Sequence, residues 1–161
     1  LAYADGAAST PASGYLAMIE LYQFSAGVLG VVNTHLVWDA PQTPIHGRIG
    51  LRQAQLLLAE LHSCAAEARG WIVGGDFNAT PESEIVGRFR RAGFRYAHES
   101  LTAAATCNVN SDARMIDYLF YSTALAAAPQ PPAPIDGRTV LPSAEEPSDH
   151  IAIAAQFDWR D

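Results

Sequence analysis

Apolar residues recur along the chain at a period of two in some stretches and of three to four in others. The switches between these periods lay out the elements. "YLAMIELYQF" (15–24) and "GVLGVVNTHLVW" (27–38) read as two strands, and Ser25, Ala26 and Gly27 between them suit a hairpin. Alternation in the second strand puts Leu29, Val31, Asn33 and His35 on one face, so an apolar face ends in polar groups. "GRIGLRQAQLLLAELHSCAAEARG" (47–70) reads as a helix, with Leu51, Ala54, Leu58, Leu61, Ala65 and Ala68 at spacings of three and four and Gly70 as its stop. "WIVGG" (71–75) is a short buried strand. A second helix follows, capped by Thr80, with Pro81 in its first turn and Ile85, Phe89 and Ala92 as its stripe before Gly93. "RMIDYLFYS" (114–122) and "HIAIAAQFDW" (150–159) are further strands, and residues 126–149 between them form a proline-rich loop without strand or helix period. The chain shows no internal repeat. Strands alternating with amphipathic helices after a hairpin predict a layered α/β fold with a mixed sheet.

Four of these strands end in, or are interrupted by, groups that are costly to bury alone. They are Asn33 and His35, Asp76 and Asn78, Asp117, and Asp149 with His150. Each has an ordinary explanation: the Asp and Asn of "GGDFNATP" can make a turn, Ser148-Asp149 can open a strand, and Asp117 can be a satisfied buried acid. Their joint occurrence points to chemistry, because reactive groups in α/β folds gather at strand ends and on the loops beyond. The residue types fit phosphoester cleavage. Asp76 can orient or deprotonate a water, and Asn78 can donate to a phosphate oxygen. His35 and His150 can stabilise developing charge or shuttle a proton. Asp117 can fix the tautomer of one histidine, and Asp149 suits a hard cation such as Mg²⁺. No serine stands on a nucleophile elbow and no cysteine is paired by motif with a histidine, so direct attack by water is the simpler mechanism.

Composition narrows this picture. The 161 residues amount to one domain or less, and 49% apolar content is enough for a core. Seventeen acidic against ten basic residues leave a net charge of −7, which argues against a passive nucleic-acid binder but not against an enzyme that meets phosphates through a bound cation. All basic residues are arginine. Cys64 and Cys107 are too few for a disulfide framework and read as reduced thiols. No apolar run reaches the roughly 20 residues of a membrane helix, and the first residues lack the regions of a signal peptide. A cytoplasmic setting without membrane contact is the expectation. His46, His62 and His98 lack metal-ligand spacing and are expected at the surface, and Arg88, Arg90, Arg91 and Arg95 are expected to form a solvated helix face.

"VNTHL", "GGDFNATP", "IDYLFYS" and "PSDHIA", in this order, resemble the second half of the endonuclease/exonuclease/phosphatase superfamily, which includes pancreatic-type deoxyribonuclease and the abasic-site endonucleases. "NTHLVWD", "LRQAQLLLAEL" and "LPSAEEPSDHIAI" make the deadenylase, nocturnin and 2′-phosphodiesterase-like members the most similar ones. The resemblance implies a four-layer α/β/β/α sandwich and Mg²⁺ or Mn²⁺ dependence. It implies that His35 contacts the scissile phosphate, Asp76 and Asn78 position the water and the phosphate, Asp117 holds the catalytic His150, and Asp149 associates with metal. On the substrate side it adds Arg52, in an R-x-x-Q pattern for which a salt bridge near the site is the more ordinary role. It also adds Asn108, in a "TCNVNSDARMID" segment that lacks the aromatic residue of the deadenylase pattern. Trp38 either stacks on a base or covers the loop "DAPQTP".

The same comparison implies that residues 1–161 are the carboxyl-terminal part of one domain, with 1–14 a lead-in. The family's metal-binding glutamate lies in an amino-terminal half that has no counterpart here; Glu20 sits in the strand before N-T-H and does not replace it. Expected partners are RNA or another phosphoester and that amino-terminal half. The expected function is a 3′-exoribonuclease releasing 5′-nucleotides. The alternatives are a small-molecule phosphatase acting on a nucleotide, dinucleotide or phosphoinositide, and a non-catalytic binding fragment.

Overall fold

The structure, a computed structural model, describes residues 1–3 and 14–161. Most of the expected lead-in, residues 4–13, lies outside the described residues. Residues 1–3 pair with the start of the first strand, where the Leu1 amino group donates to the Ala17 carbonyl at 2.7 Å, and buried Tyr3 reaches the second strand, its Oη 2.6 Å from Thr34 Oγ1.

Strands β1 (Ala17–Phe24) and β2 (Gly27–His35) form the hairpin, in antiparallel register from Ala17↔Thr34 to Phe24↔Gly27. Helix α1 (Ile49–Ser63) then carries the chain across to β3 (Gly70–Asp76), which runs parallel to β2. After α2 (Glu84–Arg91), the short β4 (Phe94–Tyr96) and β5 (Asp117–Ser122) complete a five-stranded mixed sheet of order β1-β2-β3-β5-β4. Strands β6 (Leu125–Gln130) and β7 (Ala154–Trp159) pair antiparallel as a second, two-stranded sheet. The α/β class with a mixed sheet is as the periodicity predicts. Among the described residues no helix is long and apolar enough to cross a membrane.

Both helices cover one face of the large sheet. Leu51, Ala54, Leu57 and Leu61 of α1 and Ile85, Val86 and Phe89 of α2 pack with Val32, Val73, Phe77, Tyr118 and Phe120. Phe89 stacks on Phe120 at 4.6 Å between ring centroids and meets Phe77 edge-on at 5.2 Å. Among the described residues, the opposite face is covered at its β3–β5 side, where Phe157 of β7 meets Tyr121 at 5.7 Å. At the β1–β2 side Leu16, Met18, Tyr22 and Phe24 stand 45% to 58% exposed.

Several elements depart from the periodicity. Helix α1 ends at Ser63 with Cys64 as its C-cap, and Gly70 opens β3 instead of stopping the helix. Helix α2 is capped by Ser83, whose side chain accepts from the Val86 amide at 3.3 Å, and Thr80 stands before it. The buried side of β2 is Gly30, Val32 and Thr34; the Leu29-to-His35 side, read as apolar, is half-exposed because the helices pack on the other face. Strand β6 arises inside the proline-rich loop, and β7 starts at Ala154, four residues after His150. His98, expected at the surface, is 1% exposed, with Nε2 lying 3.1 Å from the Gln130 carbonyl. Of the four arginines expected on one solvated helix face, Arg88, Arg90 and Arg91 lie on α2 and Arg95 on β4; Arg88 and Arg91 pair with Glu84, and Arg90 and Arg95 with Glu99. Cys64 and Cys107 are free thiols.

Candidate active site

Strand register builds the site. Because β2 and β3 are parallel, their carboxyl ends coincide and His35 stands opposite Asp76. Because β5 is antiparallel to β3, its first residue, Asp117, stands opposite Asp76 on the other side. Residues directly opposite one another share a face, so His35, Asp76 and Asp117 form one row across three strands. The row lies on the face the helices leave free.

Local backbone geometry fixes the ends of this row. Gly75 has φ of 138°, and a Cβ there would lie 1.8 Å from the Thr34 carbonyl oxygen, so no other residue fits between β2 and the turn. Asn78 adopts a left-handed conformation with φ of 49°, and its amide donates to Asp76 Oδ1 at 2.7 Å. That Asx turn aims the Asn78 side chain back at the row. Its Nδ2 donates to the Leu36 carbonyl at 2.9 Å and lies 3.2 Å from His35 Nε2. Neutral His35 with its proton on Nδ1 accepts this contact. Protonated His35 instead turns an Nε2–H toward Asp76 Oδ2, 3.4 Å away. Tyr15 meets the His35 ring edge-on at 5.2 Å.

His150 enters from a separate segment. Residues 106–107 bridge to 114 on one side and to 150 on the other, and the Ile151 amide donates to the Thr106 carbonyl at 2.7 Å. Buried Thr106 also accepts the Ile116 and Asp117 amides on Oγ1 at 3.1 and 3.2 Å. These bonds hold Asp117 Oδ2 2.9 Å from His150 Nδ1, which leaves Nε2 of His150 free to face a ligand. Burial pulls His150 down, but its hydrogen bond to Asp117 and the charges of Asp117, Asp76 and Asp149 outweigh it and leave the imidazole above its ordinary pKa. Burial pushes the Asp76 carboxyl up, opposed by the Asn78 amide and reinforced by the Asp117 charge.

One ligand atom each from Asp76, Asp117 and His150 lie within 4.8 Å of one another. Two carboxylates in such a group suit a hard divalent cation. Asp149 is exposed and outside this group. Arg52 points from α1 into solvent. Asn108 is used structurally, with Nδ2 donating to the carbonyls of Asp136 and Thr139 at 3.0 and 2.6 Å. Trp38 is 56% exposed on the rim of a cleft of about 590 Å³ that reaches Asn78. A shallower groove on the other side of the row includes Tyr15, Met18, His35 and Asp76. Sequence reading missed Tyr15 and Thr106. Neither has a local motif, since each acts through a contact made only in the folded chain.

The description "Endonuclease/Exonuclease/phosphatase family" belongs to a family model that matches residues 9–150. No curated protein matches the sequence. Among solved structures, the human Nocturnin catalytic domain with bound sulfate superposes with a TM-score of 0.69 at 23% identity, over 94% of this chain and 56% of its own. ANGEL2, a 2′,3′-cyclic phosphatase, gives 0.71 at 20% identity over 89% and 61%. A mannosyl-6-phosphatase from Bacteroides thetaiotaomicron gives 0.58 at 15% over 84% and 53%. The chain thus spans little more than half the length of these structures and shares their mixed α/β fold. With the motif residues gathered on one sheet face and the family model covering most of its length, this chain belongs to the endonuclease/exonuclease/phosphatase family.

Proposed function

We propose that this chain carries the water-activating and phosphate-holding residues of a metal-dependent phosphodiesterase, acting as a 3′-exoribonuclease that releases 5′-nucleotides. The observation that carries the proposal is the row of His35, Asp76 and Asp117, with Asn78 and His150 converging on it. Asn78 and His35 hold the non-bridging oxygens of the scissile phosphate. Asp76, made more basic by burial, accepts a proton from water as the water oxygen bonds to phosphorus. The bond to the leaving oxygen breaks in line. His150, oriented by Asp117 and with its pKa raised by that contact, supplies positive charge and a proton through Nε2 in its protonated form. Mg²⁺ or Mn²⁺, held at this cluster through Asp117 so that Asp76 keeps its basicity, would neutralise phosphate charge.

A small-molecule phosphatase is the second reading. It is favoured by the surface: four arginines that could have met a polynucleotide backbone are paired with Glu84 and Glu99 on a chain of net charge −7. Hydrolysis of oligo(A) measured beside hydrolysis of free nucleotides and sugar phosphates separates the two. Turnover of the small compounds alone would remove the exonuclease.

Activity is further proposed to need polypeptide beyond this chain, packed on the β1–β2 face that the described residues leave exposed. The exposed Leu16, Met18, Tyr22 and Phe24 support this, as does the chain's half-length match to its structural relatives.

A further inference from the structure

The cleft of about 590 Å³ next to Asn78 has a wall that the reaction as drawn does not use. Four charged side chains line it, and three are already committed. Asp39 caps α1, accepting the Gly50 and Leu51 amides at 3.1 and 2.9 Å. Arg48 pins the 39–48 loop through the Thr43 and Pro41 carbonyls at 2.9 and 3.3 Å. Glu84 pairs with Arg88 and Arg91. The fourth, Arg114, is loosely held: among the described residues its guanidinium reaches the Val109 carbonyl at 3.4 Å and Asp112 at 3.7 Å.

The backbone around Arg114 is nevertheless rigidly placed. Its amide and carbonyl are both bonded to Cys107, at 2.9 and 3.1 Å. The adjoining turn holds Asn110 and Ser111 in left-handed conformations with φ of 58° and 60°. The proline-rich segment buttresses that turn. Asn108 bonds to its Asp136 and Thr139 carbonyls, and a Cβ on Gly137 would lie 2.2 Å from the Ser111 oxygen. A fixed backbone thus carries a cation without a strong partner into the cleft. The 39–48 loop, held by Asp39 and Arg48, follows directly on Trp38 at the same cleft.

We propose that this cleft binds a nucleoside carrying a second phosphate beyond the one at Asn78, with Trp38 as the stacking wall for the base and Arg114 as the counter-charge of the second phosphate. The proposal rests on the phosphoester reading of the Asn78 side. A guanidinium gives a phosphate paired donors, and an indole offers a flat face to any base. That second phosphate belongs either to a free nucleotide or to the next residue of a polynucleotide, and the chemistry of recognition is the same.

Calorimetric titration of this chain with AMP and with adenosine 3′,5′-bisphosphate tests it. The bisphosphate should bind about tenfold more tightly or better. Arg114→Gln should erase that preference while AMP affinity changes by less than about twofold, and Asp112→Asn, which removes a competing carboxylate, should widen it. Trp38→Ala should weaken both nucleotides by about tenfold. No saturable binding, equal affinities in the unmodified chain, or a preference that survives Arg114→Gln would each overturn the proposal. His35→Ala reports separately on the phosphate site. If it leaves AMP affinity untouched while Arg114→Gln still abolishes the preference, the phosphodiesterase reading fails and the subsite stands. A 5′-phosphorylated adenylyl dinucleotide that matches the bisphosphate assigns the subsite to a polynucleotide, and one that matches AMP assigns it to free nucleotides.

Discussion

At Asp76 the proposed role and the stability of the fold pull in opposite directions. Its carboxyl is raised by burial, and the Asp117 charge adds to the effect. A group whose folded pKa exceeds its unfolded value favours folding below the unfolded pKa, and that advantage is lost as pH rises through the folded one. At neutral pH the ionised Asp76 therefore weighs against the metal-free fold. Asp76→Asn should raise the melting temperature at pH 7, with the gain shrinking as the pH falls through the carboxylate range. The same variant, in the active protein, should lower turnover by about 10²- to 10⁴-fold. A drop in melting temperature together with the loss of turnover would mean that Asp76 is structural. His150 has the same sign with a different cause, since its raised pKa comes from Asp117 against the pull of burial. Its contribution to stability is complete below the ordinary histidine pKa of about 6.5 and is lost as pH rises through its folded value. Asp117→Asn leaves burial without its main opponent, so the His150 pKa followed by NMR of its ring protons should fall. A titration that does not move would show that the 2.9 Å contact carries no charge coupling.

At the scale of elements, the close approach of β2 to the end of β3 decides whether the row forms. Gly75 is needed twice, for its φ of 138° and because a Cβ would lie 1.8 Å from the Thr34 oxygen. Gly75→Ala should cost about 3 kcal/mol or more in urea unfolding, since strain of 1–3 kcal/mol is added to a backbone clash. A variant of unchanged stability would show that the β2–β3 register can slip without loss. In the sequence Gly75 is legible only as the end of a short buried strand within "GGDFNATP"; that the position admits no other residue follows from the strand contact. The cap of α2 and the existence of β6 were less legible. Thr80 and Ser83 are equally good caps by residue type, and only the path of the chain after Asn78 selects Ser83. "LAAAPQ" has little strand character of its own and becomes β6 because β7 pairs with it.

At the scale of the whole molecule, the described residues cover one face of the large sheet with both helices and the other face in part. The two-stranded sheet reaches Tyr121 through Phe157 but leaves Met18, Tyr22 and Phe24 exposed, and Met18 also lines the groove beside His35 and Asp76. An exposed apolar surface of this kind drives association. The isolated chain should bind an apolar dye and self-associate with rising concentration. Met18→Glu with Phe24→Glu should suppress both while leaving the melting temperature within a few degrees. A doubly charged chain that still associates would place the sticky surface elsewhere, and one that unfolds would mean that the face is part of this chain's own core.

The sequence by itself determined the α/β class, the hairpin, both helices and the identity of the five residues that converge at the site. Each is written locally, as a period, a turn or a short motif at a strand end. Only the tertiary structure decided which face of β2 is buried, because alternation defines two faces without saying where the helices pack. It also decided that His35, Asp76 and Asp117 share a row, since that depends on β3 being parallel to β2 and antiparallel to β5. The different uses of Asn108 and Arg114 were settled in the same way. Both are polar residues of one irregular segment, and contacts with the distant 136–139 turn bind the first and leave the second open to the cleft.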